Sequence, residues 1–169
     1  MKMLAALFCF TLGITNCSFA AEFALSSPAF NMNSMIPVEY TCHGKDLSPP
    51  LMWHNIPANT QSLALVMDDP DAPGKIWQHW ILFNIPISLT QLEAGTPVPV
   101  GAGQAQNSWG KAQYNGPCPP LGIHRYVFKL YALDKVLNLS DGVDADTALN
   151  AMTGHVIGTA EWIGLYQTL

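Results

Sequence analysis

Short apolar runs of strand-forming residues, separated by loops rich in proline and glycine, constrain this chain more than any other feature. Ser62-Leu63-Ala64-Leu65-Val66-Met67 reads as one strand that delivers Asp68 and Asp69 at its C-terminal end. Trp80-Ile81-Leu82-Phe83-Asn84-Ile85 reads as a second, stopped by Pro86, and His124 to Leu133 as a third, rich in aromatic and β-branched residues. A last strand over about Val156 to Tyr166 closes the chain. Thirteen prolines and thirteen glycines are spread through the connections. Only Asp146 to Met152 has helical character, with Asp146 the expected N-cap and Gly154 beyond the end. The pattern predicts an all-β, antiparallel sandwich rather than a βαβ fold.

The N-terminus carries a different signal. Met1 and Lys2 precede an uncharged, mostly apolar run from Met3 to Thr15, and Asn16 to Ala20 lead into Ala21-Glu22. A positive head, an apolar stretch too short for a bilayer, and small residues at Ser18 and Ala20 predict a secretory signal peptide over residues 1–20. A buried N-terminal helix is one alternative. A lipoprotein signal ending at Cys17 is another, against which Asn16 stands where Gly or Ala is usual. No later segment is long and apolar enough to cross a membrane, so no transmembrane anchor is expected. The mature chain, residues 21–169, is expected to be a single domain in the periplasm or secreted. Its formal charge of −5 becomes −6 once Lys2 is lost, which argues against nucleic acid as a partner and gives no support for adsorption to anionic lipid.

Removing the leader leaves two of the four cysteines, Cys42 and Cys118. In an oxidising compartment they point to one disulfide, closing a loop of 76 residues. Two thiols that never meet is the alternative.

Polar residues gather near the strand ends. Side chains alternate along a strand, so His124 and Tyr126 share one face while Arg125, the only arginine, takes the other. Arg125 is expected to pair with a carboxylate of the Asp68–Asp71 cluster. His79 opens the second strand directly after that acidic loop, and Gly116-Pro117-Cys118-Pro119-Pro120-Leu121-Gly122 forms a rigid loop before the third. Two histidines, Tyr126, Asp69 and Asp71 can therefore converge at one end of the sandwich. The plainer readings are a histidine satisfied in the core or at the surface, and Asp-Pro-Asp as a turn. Glu39, Asp134, Asp141 and Asp144 read as ordinary solvated charge.

"LSPPLMW" (47–53), "DDPDAP" (68–73), "HWILFNIP" (79–86), "GPCPP" (116–120) and "HRYVFKLYALD" (124–134) occur in this order. Together they resemble the phosphatidylethanolamine-binding protein (PEBP) family, most nearly its bacterial branch of Raf kinase inhibitor-like proteins of the YbhB/YbcL type. The resemblance runs from about Phe23 to Tyr166. It implies a Greek-key β-sandwich of one large and one small sheet, with a small surface pocket for anions and phospho-head groups. It also implies Asp69, Asp71, Pro73, His79, Gly116, His124 and Tyr126 as ligand-binding residues, no catalytic residue, no metal and no cofactor. Cys42 and Cys118 match cysteines usual in the bacterial branch. The loop from Pro73 to His79 is only Gly-Lys-Ile-Trp-Gln, shorter than in animal members, which puts their partner-contacting surface in doubt here.

Chemistry supports such a pocket independently. Phosphate needs donors, here an imidazole, the Tyr126 hydroxyl and a backbone N–H such as that of Gly116. A carboxylate fits beside them if it fixes an imidazole, or if the ligand is a zwitterion such as phosphoethanolamine. Lys75 and Trp77 are expected at the rim and walls, Trp80 in the core, and the Ala72–Pro73 bond is expected to be cis. The competing classes are a serine hydrolase using Ser48 or Ser108, and a metal enzyme using Asp69, Asp71, His79 and His124. A kinase- or protease-inhibitor-like role is what the family name implies, although an exported protein does not ordinarily meet a cytosolic kinase.

Overall fold

The computed structural model describes residues 21–168, and the leader expected at residues 1–20 lies outside them. Its strands are β1 (Ala24–Ser26), β2 (Ser34–Met35), β3 (Leu51–His54), β4 (Ser62–Asp69), β5 (Trp77–Ile85), β6 (Gln91–Leu92), β7 (Gly103–Gln104), β8 (Ile123–Leu133) and β9 (Val156–Gln167). One α-helix, α1 (Ala145–Met152), lies between the last two. The strands form a three-stranded sheet, β1-β3-β6, and a six-stranded sheet, β2-β9-β8-β4-β5-β7. The all-β sandwich expected from the sequence is the fold observed.

β4 explains why its sequence shows no alternation of polar and apolar residues. Every residue from Ser62 to Asp69 is buried. Leu63, Leu65 and Met67 point into the core between the sheets, against Leu25, Leu51, Trp53 and Leu92 of the small sheet. Ala64 and Val66 point the other way, into a second core capped by Ala148 and Met152 of α1. A strand covered on both faces carries an apolar run. Where the run ends, Asp68 and Asp69 emerge at the edge of the core, and β8 lies antiparallel beside them with Asp68 opposite Val127.

Two local expectations need correction. Asp144, not Asp146, caps α1: its side chain accepts Thr147 N–H at 2.9 Å and Thr147 Oγ1–H at 2.8 Å. Its extended backbone makes it the N-cap, and Asp146 falls in the first turn. Nor is Asp141 merely solvated, since its Oδ1 accepts the Gln104 N–H at 2.8 Å.

Candidate functional site

β4 and β5 do not pair in simple register near the acidic turn. Met67 faces Trp80, but Asp68 faces Gln78, so His79 is one residue too many on β5. Such a bulge reverses which side chains face which way beyond it. Without it Asp69 would oppose Gln78; with it Asp69 opposes Trp77. The bulge therefore places an indole beside Asp69 and leaves His79 buried between Tyr126 and Trp109, in edge contacts at 5.2 and 4.9 Å.

Asp69 is buried and makes two bonds. Oδ1 accepts the Asp71 N–H at 2.9 Å, closing the Asp-Pro-Asp turn, and Oδ2 lies 2.7 Å from His124 Nδ1. A carboxylate only accepts, so the His124 ring proton sits on Nδ1 and Nε2 is the nitrogen left for a ligand. His79 is fixed in the same way by a carbonyl: Nδ1–H donates to Asn115 O at 2.7 Å. Burial pushes the His79 imidazole below its usual pKa, with the Asn115 carbonyl and Asp69 acting in the opposite sense.

That shift has a measurable sign. Between the unfolded value near 6.5 and the lower folded value, the unfolded chain takes up a proton that folded His79 refuses. Stability therefore falls as the pH drops below about 6.5, at most by about 1.4 kcal/mol per pH unit for one proton. His79→Gln is expected to flatten that part of the curve in denaturant titrations from pH 8 to 5. Parallel curves for the two proteins would show that His79 titrates alike folded and unfolded.

Around these histidines lies a cavity of about 230 Å³. Asp69, Ala72 and Pro73 form one side, Trp77 and Trp109 another, and Cys118 and Pro120 a third, with His79 and His124 also exposed to it. Of the seven expected ligand-binding residues, the structure brings Asp69, Pro73, His79 and His124 to its wall. The other three do not line it. Asp71 points outward to Arg125, whose Nε, Nη2 and backbone N–H bond its two oxygens at 2.9, 2.7 and 2.9 Å. The Arg125 guanidinium holds the Asp71 carboxyl down at about 2, so the clamp persists until the pH falls toward that value.

Gly116 does not offer its N–H to the cavity, because that group donates to Asp46 Oδ1 at 2.7 Å. Glycine is required there by close approach: a Cβ would overlap the Tyr40 carbonyl and the Thr41 backbone. Tyr126 is fully buried against His79, and burial followed by the Asp69 carboxylate pushes its hydroxyl well above the usual pKa. The peptide bonds of the described residues are all trans, Ala72–Pro73 included. The turn closes through the Asp69–Asp71 bond and through Gly74 in the left-handed region at φ 85°.

Other expected residues fall as follows. Trp77 is in the wall, with Lys75 Nζ 5.4 Å above its ring, and Trp80 is in the core. Cys42 and Cys118 are bonded, with Cα atoms 5.5 Å apart, so the disulfide is part of the cavity wall. The Ser108 hydroxyl accepts Gln78 N–H and donates to Gln78 Oε1, and Ser48 lies in another part of the fold beside Trp80 and Tyr114. Among the described residues no group of three or more His, Cys, Asp or Glu is placed to hold a metal ion.

Sequence reasoning missed Trp109 and its support. Trp109 makes edge contacts with both Trp77, at 5.2 Å, and His79. Buried Asn107 holds its loop, accepting Trp109 N–H and Lys111 N–H on Oδ1 and donating to Asn115 Oδ1 and Gln113 O. A tryptophan in the polar stretch Asn107-Ser108-Trp109-Gly110 was the available signal.

The molecule is thus a two-sheet sandwich with a small cavity of histidines, indoles and one carboxylate at a sheet end. The family model described as phosphatidylethanolamine-binding protein matches residues 26–167. This chain belongs to that family. A UPF0098 protein of Methanothermobacter thermautotrophicus is 51% identical over 147 residues, 85% of this chain and 97% of the relative. Among solved structures, the PEBP homologue CT736 of Chlamydia trachomatis superposes with a TM-score of 0.83 at 39% identity, covering 88% of this chain and 99% of its own. YbcL of E. coli, described as a member of the mammalian PEBP family, also gives 0.83, at 33% identity over 88% of this chain and 100% of its own.

Proposed function

We propose that this protein is a non-catalytic binding protein, exported to the periplasm or beyond, whose cavity takes a small phosphorylated head group of the phosphoethanolamine kind. The observation that carries the reading is the His124–Asp69 pair in the cavity wall at 2.7 Å. It commits Nδ1 to the carboxylate and leaves Nε2 for the ligand. Trp77 and Trp109 give the ammonium end aromatic surface, as Trp77 already does for the Lys75 ammonium 5.4 Å from its ring centroid. A cavity of about 230 Å³ suits a head group better than a larger ligand. The family description supports the same class of ligand. Export rests on the residue 1–20 leader, and mass spectrometry of the protein from its producing cell is expected to find Ala21 at the N-terminus.

Isothermal calorimetry with phosphate, phosphoethanolamine and phosphocholine tests the ligand. Millimolar or tighter binding of phosphoethanolamine is expected, and its loss in His124→Ala. If no head group binds folded wild-type protein, the small-ligand reading fails and a regulatory role through a protein partner takes its place.

A further inference from the structure

The disulfide lies where thiol chemistry can reach it. Cys42 and Cys118 are both exposed residues, and Cys118 opens onto the cavity. The two ends differ in their surroundings. Exposed His43 stands beside Cys42, with Nδ1 3.4 Å from the Cys42 sulfur and 3.2 Å from the Tyr166 hydroxyl. Its ring leans on Tyr166, with centroids 6.0 Å apart, which holds the imidazole near the sulfur. At the other end no imidazole of the described residues hydrogen-bonds the Cys118 sulfur: His79 and His124 line the same cavity, but their bonds go to Asn115 O and to Asp69. A disulfide breaks toward the sulfur that is the better leaving thiolate, and a neighbouring imidazole proton improves a thiolate as a leaving group. The preferred point of attack is therefore Cys118.

We propose that Cys118 is a thiol-exchange site for small thiols entering by the cavity, with Cys42 as the leaving and resolving thiol and His43 as its positioning residue. A thiolate of the incoming reagent attacks the Cys118 sulfur. A bond forms between them as the Cys42–Cys118 bond breaks, and Cys42 takes the electron pair under the His43 Nδ1–H. With a dithiol, its second thiolate then attacks its own bound sulfur and releases Cys118. The dithiol leaves as a disulfide, and two electrons have passed to the protein pair. With a monothiol, the Cys42 thiolate can attack back and restore the bond. The cavity serves only as an access route, so thiol exchange at Cys118 does not depend on which head group the cavity binds.

The surrounding fold is built to survive the opening. The Cys42 N–H donates to Pro117 O at 3.1 Å, Gly116 N–H to Asp46, and Tyr114 O–H to Tyr40 O at 2.7 Å. Thr168 Oγ1–H holds Pro119 O at 2.7 Å. These bonds keep the two thiols adjacent after the covalent one is gone, so the pair can close again without refolding.

The test uses folded protein at neutral pH, reduced with dithiothreitol or challenged with glutathione, then quenched with iodoacetamide and mapped by mass spectrometry. The pair is expected to open while circular dichroism is unchanged, with glutathione on Cys118 in at least about tenfold excess over Cys42. His43→Ala is expected to slow opening by about tenfold and to erase the preference for Cys118, at an unchanged melting temperature. Opening only in denaturant, glutathione mainly on Cys42, or an equal rate and preference in His43→Ala would each overturn the proposal.

Discussion

Asp69→Ala is expected to cost about 3 kcal/mol of stability and to weaken phosphoethanolamine binding at least about tenfold. Asp69 is only 4% exposed, and each oxygen accepts one bond, from Asp71 N–H and from His124 Nδ1. Hydrogen bonds to charged groups are worth about 1.5–3 kcal/mol each, and water reaching the vacated space recovers part of two such bonds. For a domain of this size the melting temperature falls by roughly 6–12 °C. Binding weakens for a separate reason: the turn loses the bond that shapes Ala72 and Pro73 in the cavity wall, and His124 loses the group that sets its tautomer and angle. Asp69→Asn keeps the shape but offers one acceptor and one amino group, and is expected to fall between alanine and wild type.

Asp71 provides the control, two residues away in the same motif. Its pair with Arg125 is closer to ideal in geometry, yet the Arg125 side chain is 55% exposed, and pairs screened by water contribute little. Asp71→Ala is therefore the smaller loss in both thermal melts and calorimetry. Equal effects of the two alanine variants would mean that burial does not set the roles of these acids.

The contrast bears on what the sequence made legible. β4 and the middle of β5 were readable because their apolar residues are packed tightly enough to exclude polar ones, and β8 and β9 because aromatic and β-branched residues recur along them between turn signals. The meeting of Asp69 and His124 follows from strand alternation together with the position of Asp69 at the end of an apolar run. What escaped depends on one-residue events. The bulge at His79 adds a residue to β5 with no turn residue to mark it, and so exchanges Gln78 for Trp77 beside Asp69. Gly116 was expected to present its N–H, but a glycine marks close approach as readily as an open amide, and only the position of Asp46 distinguishes the two. Trp109 reaches the cavity through the amide of Asn107, a tertiary contact that no periodicity encodes.

Serine at both Cys42 and Cys118 is expected to lower stability by about 4 kcal/mol and the melting temperature by roughly 8–16 °C. The bond closes a loop of 76 residues, so its removal restores freedom chiefly to the unfolded chain. In the folded state the same segments remain tied by the residue 42 N–H to Pro117 O and by Gly116 N–H to Asp46. Hydrogen exchange separates the two states. If the bond acts on the unfolded chain, the amides of residues 42 and 116 exchange in the variant no faster than its lower global stability requires. If they exchange far faster than the core amides of Leu65 and Phe128, the bond instead holds the native cavity wall together. The loss would then belong to the folded state, and the backbone bonds would be too weak to keep the two cysteines in place on their own.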